Sequence, residues 1–159
     1  MKTLKEICLP FIAFILFSTS SVKAQSKYVK EFRPIADSLS AKLGIPSAVI
    51  LGVATLESGC GKSRNAKLLH NHFGMIGKNN WHQPNGKRSV YKLYDSPQSS
   101  YIEFANHLTR RKFYHRLKGN MNYKLWVDAI SKDGYSEIPL IWKARVLKTI
   151  QKNHLDVQH

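Results

Sequence analysis

The sequence predicts a mainly α-helical (α+β) domain that carries one small β-hairpin lobe. Two observations predict this class. Apolar residues recur at helical spacing in several segments, and one segment, residues 79–94, changes to alternation beyond a Pro84-Asn85-Gly86 turn. The length of 159 residues suits one domain with a substantial core. We expect a ligand cleft between the helical body and the hairpin.

The helices are predicted in chain order from their apolar spacing and their start and stop residues. The first predicted helix covers 26–43 and has Pro34 in or near its first turn, and the second begins near Pro46 and ends at Gly59 and Gly61. A short helix over 65–70 follows, and then a helix that is capped by Ser96 and begins at Pro97. The last two helices lie near 122–131 and 138–153. The apolar stripes comprise Phe32, Ile35, Ala36, Leu39 and Leu43; then Tyr101, Phe104, Ala105 and Leu108; then Leu125, Trp126 and Ala129; and last Ile141, Ala144, Val146 and Ile150.

The first 24 residues have the features of a secretory signal peptide. Lys2 and Lys5 precede an apolar run over 7–17, and serines then lead to the small-x-small site Val22-Lys23-Ala24. The run is shorter than the ~20 residues that a membrane-spanning helix needs. We therefore expect cleavage after Ala24, a periplasmic or secreted protein without a stable membrane span, and a catalytic domain over 25–159.

Charge and cysteine content limit the functions open to the exported chain. The formal charge is +15, and removal of residues 1–24 leaves +13 because that segment holds three lysines and one glutamate. An exported protein this basic predicts an anionic partner such as a cell-envelope polymer. The basic residues are scattered rather than gathered on one helix face, so we expect no nucleic-acid partner. Cys60 is then the sole cysteine, which excludes an internal disulfide.

One carboxylate, Glu57, lies at the end of an apolar helix. Counting back three, four and seven positions gives Ala54, Val53 and Ile50, so Glu57 shares its face with apolar side chains. An apolar wall and the helix C-terminus both disfavour ionisation, which predicts a raised pKa. A general acid needs that property. Periodicity alone fits equally well a glutamate whose carboxylate reaches solvent at the helix end.

Two motifs, ATLESGCGKS (54–63) and NHFGMIG (71–77), carry a family resemblance. In them the sequence resembles the glucosaminidases of glycoside hydrolase family 73, relatives of the lysozyme superfamily that cut peptidoglycan. The hairpin, Tyr94-Asp95-Ser96 and Gly134-Tyr135-Ser136 follow in the family's order. The resemblance spans the mature domain and implies a lysozyme-like helical fold with a hairpin lobe beside the substrate cleft.

The resemblance also implies roles for individual residues. Glu57 corresponds to the catalytic acid, and Tyr135 to an active-site tyrosine that orients substrate or stabilises charge. Asn71 and Phe73 resemble residues of the cleft floor and are candidate substrate-binding residues. Trp81, on the hairpin, is a candidate for stacking on sugar. Tyr135 and Trp81 also fit purely structural packing roles.

The sequence departs from the family in one respect: no Asp or Glu lies between Ser58 and Tyr94. Many family members carry a second acidic residue in the hairpin lobe, and hydrolysis by paired carboxylates needs two. Asp95 and Glu103 are weak substitutes, so we expect Glu57 to act with the substrate's own 2-acetamido group or with a positioned water. Cys60 stands where relatives often carry an aromatic residue, and we interpret it as a small apolar residue rather than a nucleophile.

These expectations favour an exported endo-β-N-acetylglucosaminidase that cleaves peptidoglycan. Two alternatives stay open: a lytic transglycosylase on the same scaffold, and a basic cell-wall-binding module without catalysis. We expect no cofactor and no metal, because the histidine spacing matches no zinc site. We expect the protein to be a monomer.

Overall fold

Seven helices make up most of the part of the chain that the computed structural model describes, residues 27–77, 79 and 89–157. They are α1 (27–43), α2 (Ser47–Ser58), α3 (Arg64–Leu69), α4 (Pro97–Thr109), α5 (Tyr114–Leu117), α6 (Tyr123–Lys132) and α7 (Pro139–Lys152). The mainly helical fold class is confirmed. The predicted signal peptide, Trp81 and the predicted hairpin turn lie outside the described residues.

Helix α2 is the centre of the fold and packs against α4, α6 and α7. Residues 48–55 are all buried, which explains why this helix is apolar on every side rather than amphipathic. Gly52 allows α7 to approach closely, because a Cβ there would lie 2.5 Å from Ile150 Cγ1. A side chain at this position would push the two helices apart.

Local capping explains where several helices begin and end. The hydroxyls of Ser63 and Ser96 accept hydrogen bonds from the third residue beyond them, and the Asn122 side chain accepts one from Lys124 N. Helix α2 ends at Gly59, whose φ of 55° is left-handed. The predicted starts near residues 96 and 122 and the predicted stop at Gly59 are confirmed.

Three details of the helix predictions were wrong. Pro34 lies well inside α1 rather than near its first turn, so α1 tolerates the loss of one backbone donor. Helix α5 was not predicted, because four residues give too short a pattern to recognise. Leu125, Ile141 and Ala144 face outward. The core face of α7 instead carries Trp142, Val146 and Ile150, which are spaced four residues apart.

The β element is reduced to an isolated antiparallel bridge between Ile76 and Tyr91 in the described part of the chain. Gly77 N donates to Val90 O at 3.0 Å, and Lys92 N donates to Met75 O at 2.9 Å. The two segments therefore pair where the predicted hairpin would join the helical body. The hairpin lobe itself falls on residues that are not described.

Candidate active site

A cleft of about 560 Å³ opens where α2 ends, between the 71–77 loop and the start of α7. Helix α4 and the loop between α6 and α7 complete its walls. It is lined by Glu57, Asn65, Phe73, Gly74, Met75, Ile76, Tyr91, His107, Gly134, Tyr135, Ser136, Ile138, Trp142 and Arg145. Three predicted site residues, Glu57, Phe73 and Tyr135, thus meet in one cavity.

Glu57 lies in the last turn of α2 and is half-buried. Ala54, Val53 and Ile50 on the same face are completely buried, so the predicted apolar environment of the carboxylate is confirmed. Burial raises the pKa of Glu57 above its ordinary value, while the hydrogen bond from Trp142 and the charge of Arg145 lower it. The net effect favours a carboxyl group that keeps its proton closer to neutral pH.

A hydrogen bond orients the Glu57 carboxylate, and a loop lies close to it. The indole N–H of Trp142 donates a hydrogen bond to Oε1 at 2.7 Å. A Cβ added to Gly74 would come within 3.9 Å of the other oxygen, Oε2, so the loop lies near the carboxylate. Gly74 has a φ of +66°, which glycine adopts without strain.

Asn71 holds the loop that carries Phe73 and Gly74. Its side-chain amide donates to Met75 O at 2.8 Å and to Lys92 O at 2.9 Å. Its Oδ1 accepts from Phe73 N at 3.4 Å and from Met75 N at 3.0 Å. The residue is 1% exposed and does not line the cleft. Its polar atoms thus bind the backbone of the loop, whereas Phe73 contributes to the cleft wall.

Tyr135 connects the loop between α6 and α7 to the 71–77 loop. Its hydroxyl donates a hydrogen bond to Phe73 O at 2.7 Å, and its ring lies 5.1 Å from the Trp142 ring and 5.8 Å from that of Phe104. Burial and the charge of Glu57 raise the pKa of this phenol well above its ordinary value, so it remains a proton donor. The hydroxyl oxygen retains acceptor capacity for a ligand.

A buried polar network lies behind the end of α2. The Tyr28 hydroxyl is within 2.7 Å of His72 Nδ1 and 2.8 Å of the Tyr101 hydroxyl, and Ser58 Oγ donates to it at 3.1 Å. Burial lowers the pKa of His72 to about 4, so its ring is neutral near neutral pH. This network connects α1, α4 and the 71–77 loop to the residue next to Glu57.

Glu57 is the only carboxylate that lines the cleft in the described structure. Asp95 is exposed outside it, and Glu103 pairs with Lys92. The undescribed residues 78 and 80–88 contain no Asp or Glu either.

Across the described ranges, no group of three or more His, Cys, Asp or Glu residues could hold a metal ion. In the same ranges no helix is long and apolar enough to cross a membrane.

Cys60 follows Gly59 in the turn after α2 and is partly buried. Its φ of 57° is unusual for a residue with a side chain. Burial raises the pKa of its thiol, which disfavours the reactive thiolate.

A second cavity, of about 620 Å³, lies between α5 and α6. Its carboxylates are Asp128 and Asp133, and each forms ion pairs: Asp128 with Lys132 and Lys143, and Asp133 with Arg111. Ion pairing and hydrogen bonds to the two lysines lower the pKa of Asp128. Asp128 is therefore poorly suited to donating a proton near neutral pH.

A protein-family model matches most of the chain. Residues 33–155 match the model of the Glucosaminidase family, described as mannosyl-glycoprotein endo-beta-N-acetylglucosaminidase. The chain belongs to this glycoside hydrolase family. The match covers both motifs and all seven helices at least in part, so the resemblance seen in the sequence is confirmed.

Solved structures share the glucosaminidase fold of this chain at low identity. The peptidoglycan hydrolase from Sphingomonas sp. A1 has 21% identity and a TM-score of 0.66, over 82% of this chain and 90% of that one. The catalytic domain of the autolysin Auto from Listeria monocytogenes has 18% identity and a TM-score of 0.68, over 84% and 86%. A C-terminally truncated glycoside hydrolase domain of Salmonella typhimurium FlgJ has 22% identity and a TM-score of 0.63, over 80% and 96%. No curated protein sequence matches the chain significantly.

Sequence reasoning missed several residues of the glucosaminidase cleft. Trp142, Arg145 and His107 all line it, and none was singled out. Counting back four residues from Val146 and Ile150 would have placed Trp142 on the buried face of α7. A buried indole also needs an acceptor for its N–H, which is a signal for a polar partner. Arg145 and His107 show no comparable local signal.

Proposed function

We propose that this glucosaminidase is an exported peptidoglycan hydrolase, an endo-β-N-acetylglucosaminidase with Glu57 as its general acid. The observation that carries the proposal is a half-buried carboxyl with a raised pKa, oriented by Trp142 at the base of a cleft. Family membership and a fold shared with peptidoglycan hydrolases support the substrate. The basic composition supports attraction to an anionic envelope.

In the proposed reaction, Glu57 transfers its proton to the glycosidic oxygen as the bond from that oxygen to the anomeric carbon breaks. The pair of electrons in that bond stays with the leaving oxygen. The raised pKa keeps the proton available at the pH of reaction. The Trp142 N–H then stabilises the carboxylate that remains.

A single carboxylate in the cleft favours assistance by the substrate. The carbonyl oxygen of the 2-acetamido group attacks the anomeric carbon and forms a cyclic oxazolinium ion. Water then opens this ring at the anomeric carbon, and Glu57 takes up the proton that the water loses. The product carries a reducing N-acetylglucosamine end. This route needs no second protein carboxylate, whereas the paired mechanism does.

The remaining site residues have supporting roles in this proposal. Tyr135 places its phenol beside the reacting sugar, where the oxygen accepts a hydrogen bond from substrate while its O–H continues to donate to Phe73 O. Asn71 fixes the loop, and Phe73 supplies an apolar wall. Trp81, which lies outside the described residues, is proposed to stack on a neighbouring sugar.

A lytic transglycosylase is the second candidate, and the single carboxylate of the cleft is the observation that favours it. In that reaction the substrate's own 6-hydroxyl attacks the anomeric carbon and no water is consumed. Mass spectrometry of digested cell wall separates the two reactions. A reducing N-acetylglucosamine end supports the hydrolase, and a 1,6-anhydromuramic end overturns it in favour of the transglycosylase.

The same digestion with Glu57→Gln tests the role of the acid. The substitution keeps the size of the side chain and an oxygen for the Trp142 hydrogen bond, but it removes the transferable proton. We expect an intact fold by circular dichroism and a loss of turnover of at least about a hundredfold. Wild-type turnover in Glu57→Gln contradicts the assignment. Wall binding with no turnover in either protein favours the non-catalytic binding module.

A further inference from the structure

Arg145 places a positive charge at the wall of the cleft. It lines the cavity from α7 and is exposed. None of the ion pairs in the described part of the chain includes it. Its side chain also makes no hydrogen bond there, since only its backbone oxygen accepts one, from Thr149.

Its position on α7 places it near the site of bond cleavage. Arg145 follows Trp142 by three residues, so both project from the same side of the helix, about 5–6 Å apart at their Cβ atoms. Trp142 contacts the Glu57 carboxylate directly, and the Arg145 charge acts on that same carboxylate. The guanidinium of Arg145 therefore lines the same cavity as the proposed acid and its indole partner.

The chemistry of the proposed substrate puts an anion at this point. A glucosaminidase cleaves the bond from N-acetylglucosamine to the 4-oxygen of muramic acid, so that oxygen is the leaving group. The adjacent ring carbon of muramic acid carries the lactyl ether, whose carboxyl group is free when the stem peptide has been removed. The lactyl carboxylate then lies within a few bonds of the oxygen that Glu57 protonates. A negative charge at this position is unfavourable unless a cation compensates it.

We propose that Arg145 binds a carboxylate of the muramic acid unit on the leaving-group side of the cleft, and that this carboxylate is the lactyl group of peptide-free glycan. Arg145 is thus a specificity-determining residue, and the inference rests on the proposed function. A guanidinium suits the purpose because it holds a carboxylate through two parallel hydrogen bonds. A carboxylate of an attached stem peptide is the other source of the same chemistry.

Three forms of glycan strand test the proposal. The first is stripped of peptides by an amidase and has free lactyl carboxylates. The second is the same stripped strand with its carboxyl groups converted to neutral methylamides. The third retains its stem peptides. For Arg145→Gln we expect kcat/KM to fall about tenfold on the stripped strand and less than about twofold on the methylamide strand.

The methylamide strand also separates binding from an indirect effect on Glu57. Loss of the Arg145 charge changes the acidity of Glu57 whichever strand is bound, so that effect appears on all three substrates. A matched control is Lys148→Gln, which removes an exposed cation from the same helix outside the cleft. We expect Lys148→Gln to lower activity on the stripped and methylamide strands equally, if at all.

Each outcome decides the proposal. A loss confined to the stripped strand, or larger there than on the methylamide strand, supports it. A loss confined to peptide-bearing strands overturns the lactyl assignment in favour of a stem carboxylate. An equal loss on all three strands, or none, overturns carboxylate binding by Arg145 altogether.

Binding to the Glu57→Gln protein separates this inference from the proposed function. The affinity of each strand is measured by calorimetry for Glu57→Gln and for the double variant with Arg145→Gln. If wild type cleaves none of the strands, the proposed function fails. A tenfold weaker affinity of the double variant for the stripped strand alone would still support carboxylate binding, and unchanged affinity would overturn it.

Discussion

The indole N–H of Trp142 donates a hydrogen bond to Glu57 Oε1 at 2.7 Å, across the contact between α2 and α7. The same two helices meet at Gly52, which faces Ile150 and Val146. Because Glu57 follows Gly52 along α2 while Trp142 precedes Val146 along α7, the two helices run antiparallel. The close packing at Gly52 thus determines which residue of α7 lies opposite the acid.

Trp142→Phe tests how this hydrogen bond sets the acidity of Glu57. Burial raises the pKa of Glu57 and this hydrogen bond lowers it, so removal of the bond raises the pKa further. A general acid must be protonated, and activity is lost as pH rises through its pKa. We expect the alkaline limb of the pH profile of kcat/KM to move to higher pH. The rate at its maximum should fall about tenfold as the carboxyl loses its fixed orientation.

Trp126→Phe is the matched control for this measurement. Trp126 is also buried and donates its indole N–H, but to Asn120 O at 2.7 Å, and it does not line the cleft. We expect it to lower stability while the pH profile stays in place. An unshifted alkaline limb in Trp142→Phe would show that the bond does not control the acid.

Glu57→Gln tests the cost of keeping an acid in this position. Burial raises the folded-state pKa of Glu57 above the unfolded value. The stability associated with this group is therefore fully present below the ordinary carboxyl pKa and is lost as pH rises through the raised pKa. We expect Glu57→Gln to match wild type in Tm near pH 4 and to exceed it near pH 7. Thermal unfolding at the two pH values measures the difference.

Glu137→Gln removes a carboxylate from an exposed position and corrects for the change in net charge. The prediction is refuted if Glu57→Gln and wild type differ in Tm by the same amount at both pH values.

Tyr135→Phe separates a positioning role from contact with substrate. The change removes the hydrogen bond to Phe73 O and retains the ring contacts with Trp142 and Phe104. We expect a loss of about 1 kcal/mol in the free energy of unfolding, since one carbonyl loses its partner. If the phenol also touches the sugar, kcat falls by about tenfold or more while KM changes little. If the variant folds and keeps the wild-type kcat, Tyr135 has only a structural role.

Asn71→Ala tests whether one side chain holds the cleft floor. Four backbone groups, three in the 71–77 loop and one at Lys92, each lose one hydrogen bond. We expect the free energy of unfolding to fall by about 2–4 kcal/mol and activity to fall with it, because the loop carries Phe73 and Gly74. Chemical denaturation and turnover on cell wall measure the two effects.

Asn122→Ala provides the comparison, because Asn122 makes a single capping hydrogen bond at an exposed helix start. It should cost about 1 kcal/mol and leave activity unchanged. Equal destabilisation by the two substitutions would contradict the role assigned to Asn71.

The sequence by itself determined six of the seven helices in the described part of the chain, several of their ends and the apolar face of Glu57. The caps at Ser96 and Asn122, the stop at Gly59 and the burial of Ile50, Val53 and Ala54 all depend on residues within one or two turns of each other. Such short-range effects can be predicted from a single sequence. The family motifs added the order of the site residues along the chain.

Only the tertiary structure decided what surrounds the acid. Trp142 lies 85 positions from Glu57 along the chain, and Tyr135 lies 62 from Phe73, yet both pairs are joined by hydrogen bonds. Arg145 lines the cleft for the same reason, since α7 packs on α2 in one register. That register follows from close contact at Gly52, and the shape of a helix contact depends on both surfaces at once, which no local pattern contains.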